Sequence, residues 1–190
     1  NYMSYKVYIV EDDISISTLL KDYIEKYGFE VIVEENFDDI MITFESFKPH
    51  LVLLDVNLPK FDGFYWCRCI RQQSNLPIIF ISARDGNVDQ IRALESGADD
   101  YITKPYSLKE LELRIYARMR QYKNITSVPN VLKFSALVIN VNSRKVTFDG
   151  ESIDLTTMEF EILLFLAENK EQVFSKIEIY NQVWKMPDIG

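Results

Sequence analysis

The feature that most limits what this chain can fold into is an alternation through residues 1–122, where five short apolar runs are each followed by a stretch with helical spacing. Lys6 to Val10 reads as a strand, and Ile14 to Tyr27 as a helix carrying Ile16, Leu19, Leu20, Tyr23 and Ile24, closed by Gly28. The same unit recurs as strand Glu30 to Val33 with helix Asp38 to Phe47, and as strand Leu51 to Leu54 with helix Gly63 to Gln73. It recurs again as strand Pro77 to Ile81 with helix Val88 to Ser96, and as strand Asp100 to Thr103 with helix Leu108 to Tyr122. Strands that each feed a helix demand right-handed crossovers, hence a parallel sheet covered on both faces. The predicted class is therefore α/β with a doubly wound parallel sheet, for which 2-1-3-4-5, the flavodoxin-like order, is the expectation among the common ones.

Ligands of such sheets sit at the carboxyl ends of the strands, and this chain puts its charges there. In "LVLLDVNLPKFDGF" four aliphatic residues run into Asp55, a group that is costly to bury. Taken alone, Asp55 could equally start a solvent-facing turn. The first strand, however, ends in "VEDD", and the first and third strands are neighbours in this order, so Glu11, Asp12 and Asp55 converge. Three like charges at one point require a positive partner. A hard divalent cation with oxygen ligands fits, Mg²⁺ most readily. The fourth strand brings the hydroxyl of Ser82, and the fifth ends in "TKP", bringing Lys104. Cation, ammonium and hydroxyl around one carboxylate make a pocket for a phosphoryl group.

After Tyr122 the pattern changes. Residues 123–130 read as a linker; short strands then recur at Leu132 to Phe134, Leu137 to Asn140, Lys145 to Phe148 and Glu151 to Ile153, turning at Asn142-Ser143 and Asp149-Gly150. Thr156 or Thr157 caps a helix to about Asn169, and a shorter helix covers Lys176 to Trp184.

Composition narrows the chemistry. The single histidine, His50, and two cysteines, Cys67 and Cys69, leave no room for a zinc site or a Ser-His triad. The cysteines lie two apart on a helix, where side chains diverge; both are expected reduced, as in a cytoplasmic protein, and His50 structural. A net charge of -8 argues against nucleic acid as the sole partner. No stretch resembles a membrane span or a signal peptide.

Residues 1–122 resemble the receiver domain of a two-component response regulator, through "EDD", "LDVNLPKFDG", "ISAR" and "GADDYITKP". The resemblance implies a non-enzymatic switch in which Asp55 takes a phosphoryl group from a sensor histidine kinase. It implies Mg²⁺ held by Asp12, Asp55 and the backbone carbonyl of Asn57, with Glu11 acting through water. Ser82 and Lys104 would hold the phosphoryl oxygens, and Tyr101 would swing inward as the switch. Dimerisation is implied on the face of the fourth helix, fifth strand and fifth helix. Asp99, Asp100, Glu110 and Arg114 lie there, with Gln90 and Gln121 where relatives place basic partners.

Residues 131–190, with "LTTMEFEILLFLAENKEQVFSKIEIYNQVW", are similar to the start of an OmpR/PhoB-type winged-helix effector, an α+β domain that reads direct repeats in promoter DNA. Residues 123–190 carry 7 Lys/Arg against 9 Asp/Glu, a net of -2. Because no recognition helix or wing follows before Gly190, the chain is expected to be a truncated form without DNA-reading residues of its own, and Asn1-Tyr2 ahead of Met3 an appended remnant. "FDGFYWCRCIRQQSNLPIIFISARD" further resembles the branch controlling resistance to bacitracin and other cell-envelope antimicrobial peptides.

Three alternatives fit the sequence less well. A haloacid-dehalogenase-like phosphatase also uses Mg²⁺ and a strand-end Asp, but needs a general acid two residues on, where Asn57 stands. A flavodoxin-like cofactor protein would need a phosphate loop after the first strand, which is missing. A stand-alone receiver acting through protein contacts leaves residues 131–184 unexplained.

Overall fold

Strands whose neighbours cover both faces must be apolar on both, and the three central strands are. We describe a computed structural model covering residues 5–123, 131–141 and 143–184, with only the backbone of residues 120–123. The expected linker from 124 on, the turn residue Asn142, the Gln121 side chain and both chain ends lie outside the described residues. The first sheet runs β2 (Glu30–Val33), β1 (Lys6–Val10), β3 (Leu51–Asp55), β4 (Ile78–Ser82), β5 (Asp100–Thr103), all parallel, which is the predicted order. Every residue of β3 and β4 is buried, whereas edge strand β2 is partly exposed.

Alternation splits the core in two. Val7, Ile9, Leu51, Leu53, Ile79 and Ile81 pack under α1 (Ile14–Glu25) and α5 (Leu108–Lys123). Tyr8, Val10, Val52, Leu54 and Phe80 face α2 (Met41–Phe47), α3 (Gly63–Arg71) and α4 (Asn87–Ser96). His50 Nδ1 accepts the Lys6 amide at 2.9 Å and ties β1 to the start of β3, a structural role as expected. Both cysteines are free.

Boundaries differ from the sequence reading where local hydrogen bonds compete. Helix α2 begins at Met41 rather than Asp38, because Asn36 and Asp39 side chains accept the amides of Asp38 (3.1 Å) and Met41 (3.0 Å) and hold a turn. Strand β4 begins at Ile78 rather than Pro77, which has no N–H to donate, and extends to Ser82. Helix α1 stops at Glu25, where i−3 bonds from Tyr27 and Gly28 tighten its last turn.

A second sheet, β6 (Val131–Phe134), β7 (Leu137–Asn140), β8 (Lys145–Phe148) and β9 (Glu151–Ile153), is an antiparallel meander. It packs through Ile139 and Val146 on Phe160 of α6 (Thr157–Glu168), and α7 (Lys176–Val183) follows. Thr156 caps α6, and Ser175 with Glu178 forms a capping box on α7.

One glycine sets the geometry after β3. The Gly63 amide donates to the Val56 carbonyl at 2.8 Å, and a Cβ on Gly63 would stand 2.2 Å from the Asp55 carbonyl oxygen. Backbone meets backbone, so neither can yield. Gly63→Ala is expected to cost about 1–3 kcal/mol as an overpacked position, read as a lower denaturant midpoint. A midpoint equal to the parent's would show that α3 shifts freely.

Candidate functional site

The parallel register carries the chemistry to one edge. Val10 is level with Leu54, Asp55 with Ile81 and Ser82 with Thr103, so the residues just beyond β1, β3, β4 and β5 meet at the carboxyl end of the sheet. Glu11, Asp12 and Asp55 each offer an oxygen within 4.8 Å of the others. Glu11 and Asp55 are buried and Asp12 is exposed, so the group opens to solvent on one side. Lys104, beside a cis bond to Pro105, places Nζ 2.6 Å from Glu11 Oε1 and 3.3 Å from Asp55 Oδ2. One ammonium thus answers two of three carboxylates. Glu11 Oε2 is buried without a partner, a free oxygen of the kind a hard cation or its water shell takes up, and the all-oxygen donor set fits Mg²⁺.

Burial pushes the Glu11 carboxyl up to about 7, and the adjacent Asp55 carboxylate adds to the rise against the pull of Lys104. For Lys104, burial opposes the charge, but Glu11 and Asp55 outweigh it and hold the ammonium above the ordinary lysine value.

Ser82 is fully buried at the end of β4, its Oγ accepting the Arg84 amide at 3.1 Å. Tyr101 is buried in β5 and donates its hydroxyl to the Arg84 carbonyl at 2.6 Å. Arg84, in the "ISAR" stretch, has a role that no sequence pattern assigns. Its Nη2 and Nε reach Asn57 Oδ1 at 2.8 and 3.1 Å, and its Nη1 reaches Asp89 at 3.4 Å. A charged fork two residues beyond the strand-end hydroxyl was the available clue. Asn57 is exposed, with its side chain held by this fork over the acidic edge.

The residues expected on the α4–β5–α5 face are engaged within the chain. Arg114 pairs with Asp100 at 2.6 Å and with Glu110 at 3.1 Å, and Arg118 reaches Asp100 at 3.2 Å. Gln90 is buried and donates to the Asp85 carbonyl. Asp99 is fully buried and binds Arg71 at 2.8 Å.

A doubly wound sheet with an acidic triad, a lysine and a hydroxyl at its carboxyl edge defines a receiver domain, here followed by an α+β effector. Comparison with known proteins agrees. Residues 7–116 match the response regulator receiver domain, and residues 150–189 match the C-terminal domain of transcriptional regulatory proteins. The chain is 40% identical over 182 residues to the transcriptional regulatory protein YxdJ of Bacillus subtilis, covering 94% of this chain and 80% of that protein. It is 38% identical to the response regulator GraR of Staphylococcus aureus, covering 94% and 80%. Against the sensory transduction protein BceR of Halalkalibacterium halodurans it is 37% identical, covering 95% and 79%. Among solved structures, the response regulator DrrB of Thermotoga maritima, an OmpR/PhoB homologue, matches with a TM-score of 0.59 at 30% identity, over 97% of this chain and 82% of that one. The N-terminal domain of the nisin resistance regulator NsrR gives 0.58 at 42% identity, over 62% and 100%. The chain belongs to the response regulators of the OmpR/PhoB type and is a two-component regulator of transcription. Among the described residues no helix is long and apolar enough to cross a membrane.

The raised Glu11 value has a pH consequence. An acid held near 7 in the folded state and at its ordinary 4.5 when unfolded favours folding below 4.5, and that contribution is lost as pH rises through 7. In the absence of divalent cation, Glu11→Gln should therefore raise the melting temperature by a few degrees at pH 8 and show little difference near pH 4.5. Equal shifts at both pH values would remove burial of the charge as the cause.

Proposed function

We propose that Asp55 is the phospho-acceptor of this regulator. The observation that carries the reading is the position of Asp55 Oδ2, 3.3 Å from the Lys104 ammonium at the edge where Glu11 and Asp12 also end. An Asp55 oxygen attacks the phosphorus of a kinase phosphohistidine; the new O–P bond forms as the P–N bond breaks, and the freed imidazole nitrogen takes up a proton. Lys104 exchanges carboxylate contacts for a phosphoryl oxygen, and the buried Ser82 hydroxyl donates to another. Asp12, Asp55 and the Asn57 carbonyl would hold Mg²⁺, with Glu11 binding its water. When bound, Mg²⁺ supplies positive charge against the phosphoryl oxygens.

Tyr101 lies directly beside this chemistry, hydrogen-bonded to the loop that carries Arg84, and serves as the switch. The active protein pairs through the α4–β5–α5 face and, with a complete winged helix, binds direct repeats in promoter DNA in the cytoplasm. Residues 1–122 act as the receiver, 123–130 as linker and 131–190 as the beginning of the effector. The likeness of the receiver to that of the nisin resistance regulator NsrR, a lantibiotic response regulator, supports a role in the response to cell-envelope antimicrobial peptides. Turnover as a phosphatase is disfavoured by Asn57, an amide that cannot protonate a leaving group.

Incubation with Mg²⁺ and acetyl phosphate should add one base-labile phosphoryl group. Asp55→Asn should take up none, and Asp12→Ala should fall to the level reached with EDTA. Equal labelling of the Asp55→Asn chain would assign the acceptor elsewhere.

A further inference from the structure

Arg84 joins the hydroxyl side of the site to the loop after β3. Its main chain is fixed on both sides: the amide donates to Ser82 Oγ at 3.1 Å, and the carbonyl accepts the Tyr101 hydroxyl at 2.6 Å. The Lys104 amide donates to the Ser82 carbonyl at 2.7 Å, so the strand ends that bring the hydroxyl and the ammonium are tied to each other as well. Further out, Arg84 Nη1 faces Asp89 of α4 at 3.4 Å. A side chain anchored at these points reaches Asn57 already oriented.

The grip on Asn57 is made by two donors on one oxygen. Nη2 and Nε stand 2.8 and 3.1 Å from Asn57 Oδ1. Two bonds from a planar fork fix direction as well as distance, which a single ammonium cannot do. The acceptor is a neutral amide, although three carboxylates converge on the same edge. Attraction between opposite charges therefore does not account for the contact. Asn57 is exposed, and its own amide lies 3.4 Å from Asp55 Oδ1, a long bond that restrains it little. The peptide before it is held better, since the Gly63 amide donates to the Val56 carbonyl at 2.8 Å. With the Val56 carbonyl fixed on one side and the Asn57 side chain on the other, the directions open to the Asn57 carbonyl are few.

We propose that Arg84 is a positioning residue of the cation site: by gripping the Asn57 side chain it holds the Asn57 carbonyl in place for Mg²⁺ and so raises the affinity for the ion, without being a ligand. The proposal rests on the reading of Asp12, Asp55 and the Asn57 carbonyl as the groups that hold Mg²⁺. Because the same residue binds Ser82 Oγ, the carbonyl for the ion and the hydroxyl for the phosphoryl group are kept in one frame. Groups that hold a metal's ligands in place are usually worth about 10–100-fold in affinity. The Arg84 side chain is 42% exposed and bonds a neutral amide, so the expected effect is smaller, about fivefold. Its charge acts in the opposite direction, because a guanidinium repels a cation. Truncating the side chain would mix the two effects, so the test has to keep the charge and remove the fork.

Arg84→Lys does so. Calorimetric titration of the 190-residue chain with MgCl₂ alone should show its dissociation constant raised about fivefold over the parent. Asn57→Ala, which keeps the backbone carbonyl and removes the gripped oxygen, should give a similar loss. The two changes combined should lose no more than either alone, instead of the about 25-fold that independent effects would give. Melting temperatures in EDTA should stay within the spread of ordinary surface substitutions for all of these chains, which separates the holding of a ligand from a general structural role. Asp12→Ala tests the underlying reading: parent-like Mg²⁺ binding there would remove the cation site and the role of Arg84 with it. With binding lost in Asp12→Ala, a parent-like constant in Arg84→Lys, losses that multiply in the double variant, or melting temperatures that fall in step with affinity would overturn the role of Arg84 and leave the cation site standing.

Discussion

The convergence of Glu11, Asp12 and Asp55 at the ends of two adjacent strands is the constraint around which the rest of the receiver is arranged. Carboxylates that close repel one another, and two of them are buried where water screens little. Lys104 offsets part of this, arriving from β5 at the far side of β4. One ammonium cannot neutralise three acids, so the site remains short of positive charge, and Glu11 responds by holding its proton to about 7. A site left short of positive charge favours a hard cation with oxygen ligands. Its local instability is the property that makes it responsive, as expected where function overrides local optimisation.

The close approach at Gly63 serves the same end. With no side chain there, the N-terminus of α3 comes down onto the Asp55 carbonyl, and Asp62 caps the helix by accepting the Tyr65 amide at 2.9 Å. The loop carrying Asn57 is thereby pinned at both ends, by β3 and by α3. On the opposite side, Arg84 holds the Asn57 side chain and Tyr101 holds the Arg84 carbonyl. The acidic edge and Tyr101 are consequently joined through Asn57 and Arg84 by hydrogen bonds.

From Tyr101 the assembly continues into the effector through an aromatic row, Phe80, Tyr101, Trp184 and Tyr180. Packed aromatic faces move together or separate; they do not stretch, because dispersion falls off steeply once a gap opens.

The sequence determined the strand order, the identity of the converging acids and the pairing of Asp55 with Lys104. Each follows from period and connectivity once the sheet is doubly wound in the order 2-1-3-4-5: buried parallel strands show as apolar runs, and right-handed crossovers reduce the possible orders to a few. It determined the antiparallel meander of the effector too, through turns at Ser143 and Asp149-Gly150. Single sequence positions did not disclose Arg84, which looks like an ordinary surface charge until its fork is seen on Asn57. Nor did they disclose the partners of Asp99, which was expected on the dimer face yet points to Arg71, the Ile78 amide and the Met158 amide. Trp184 stood in the sequence only as the end of a short helix. Only the tertiary structure placed it on Tyr101, because a contact between two separately folded units depends on how their surfaces meet, and no periodicity within either segment records that.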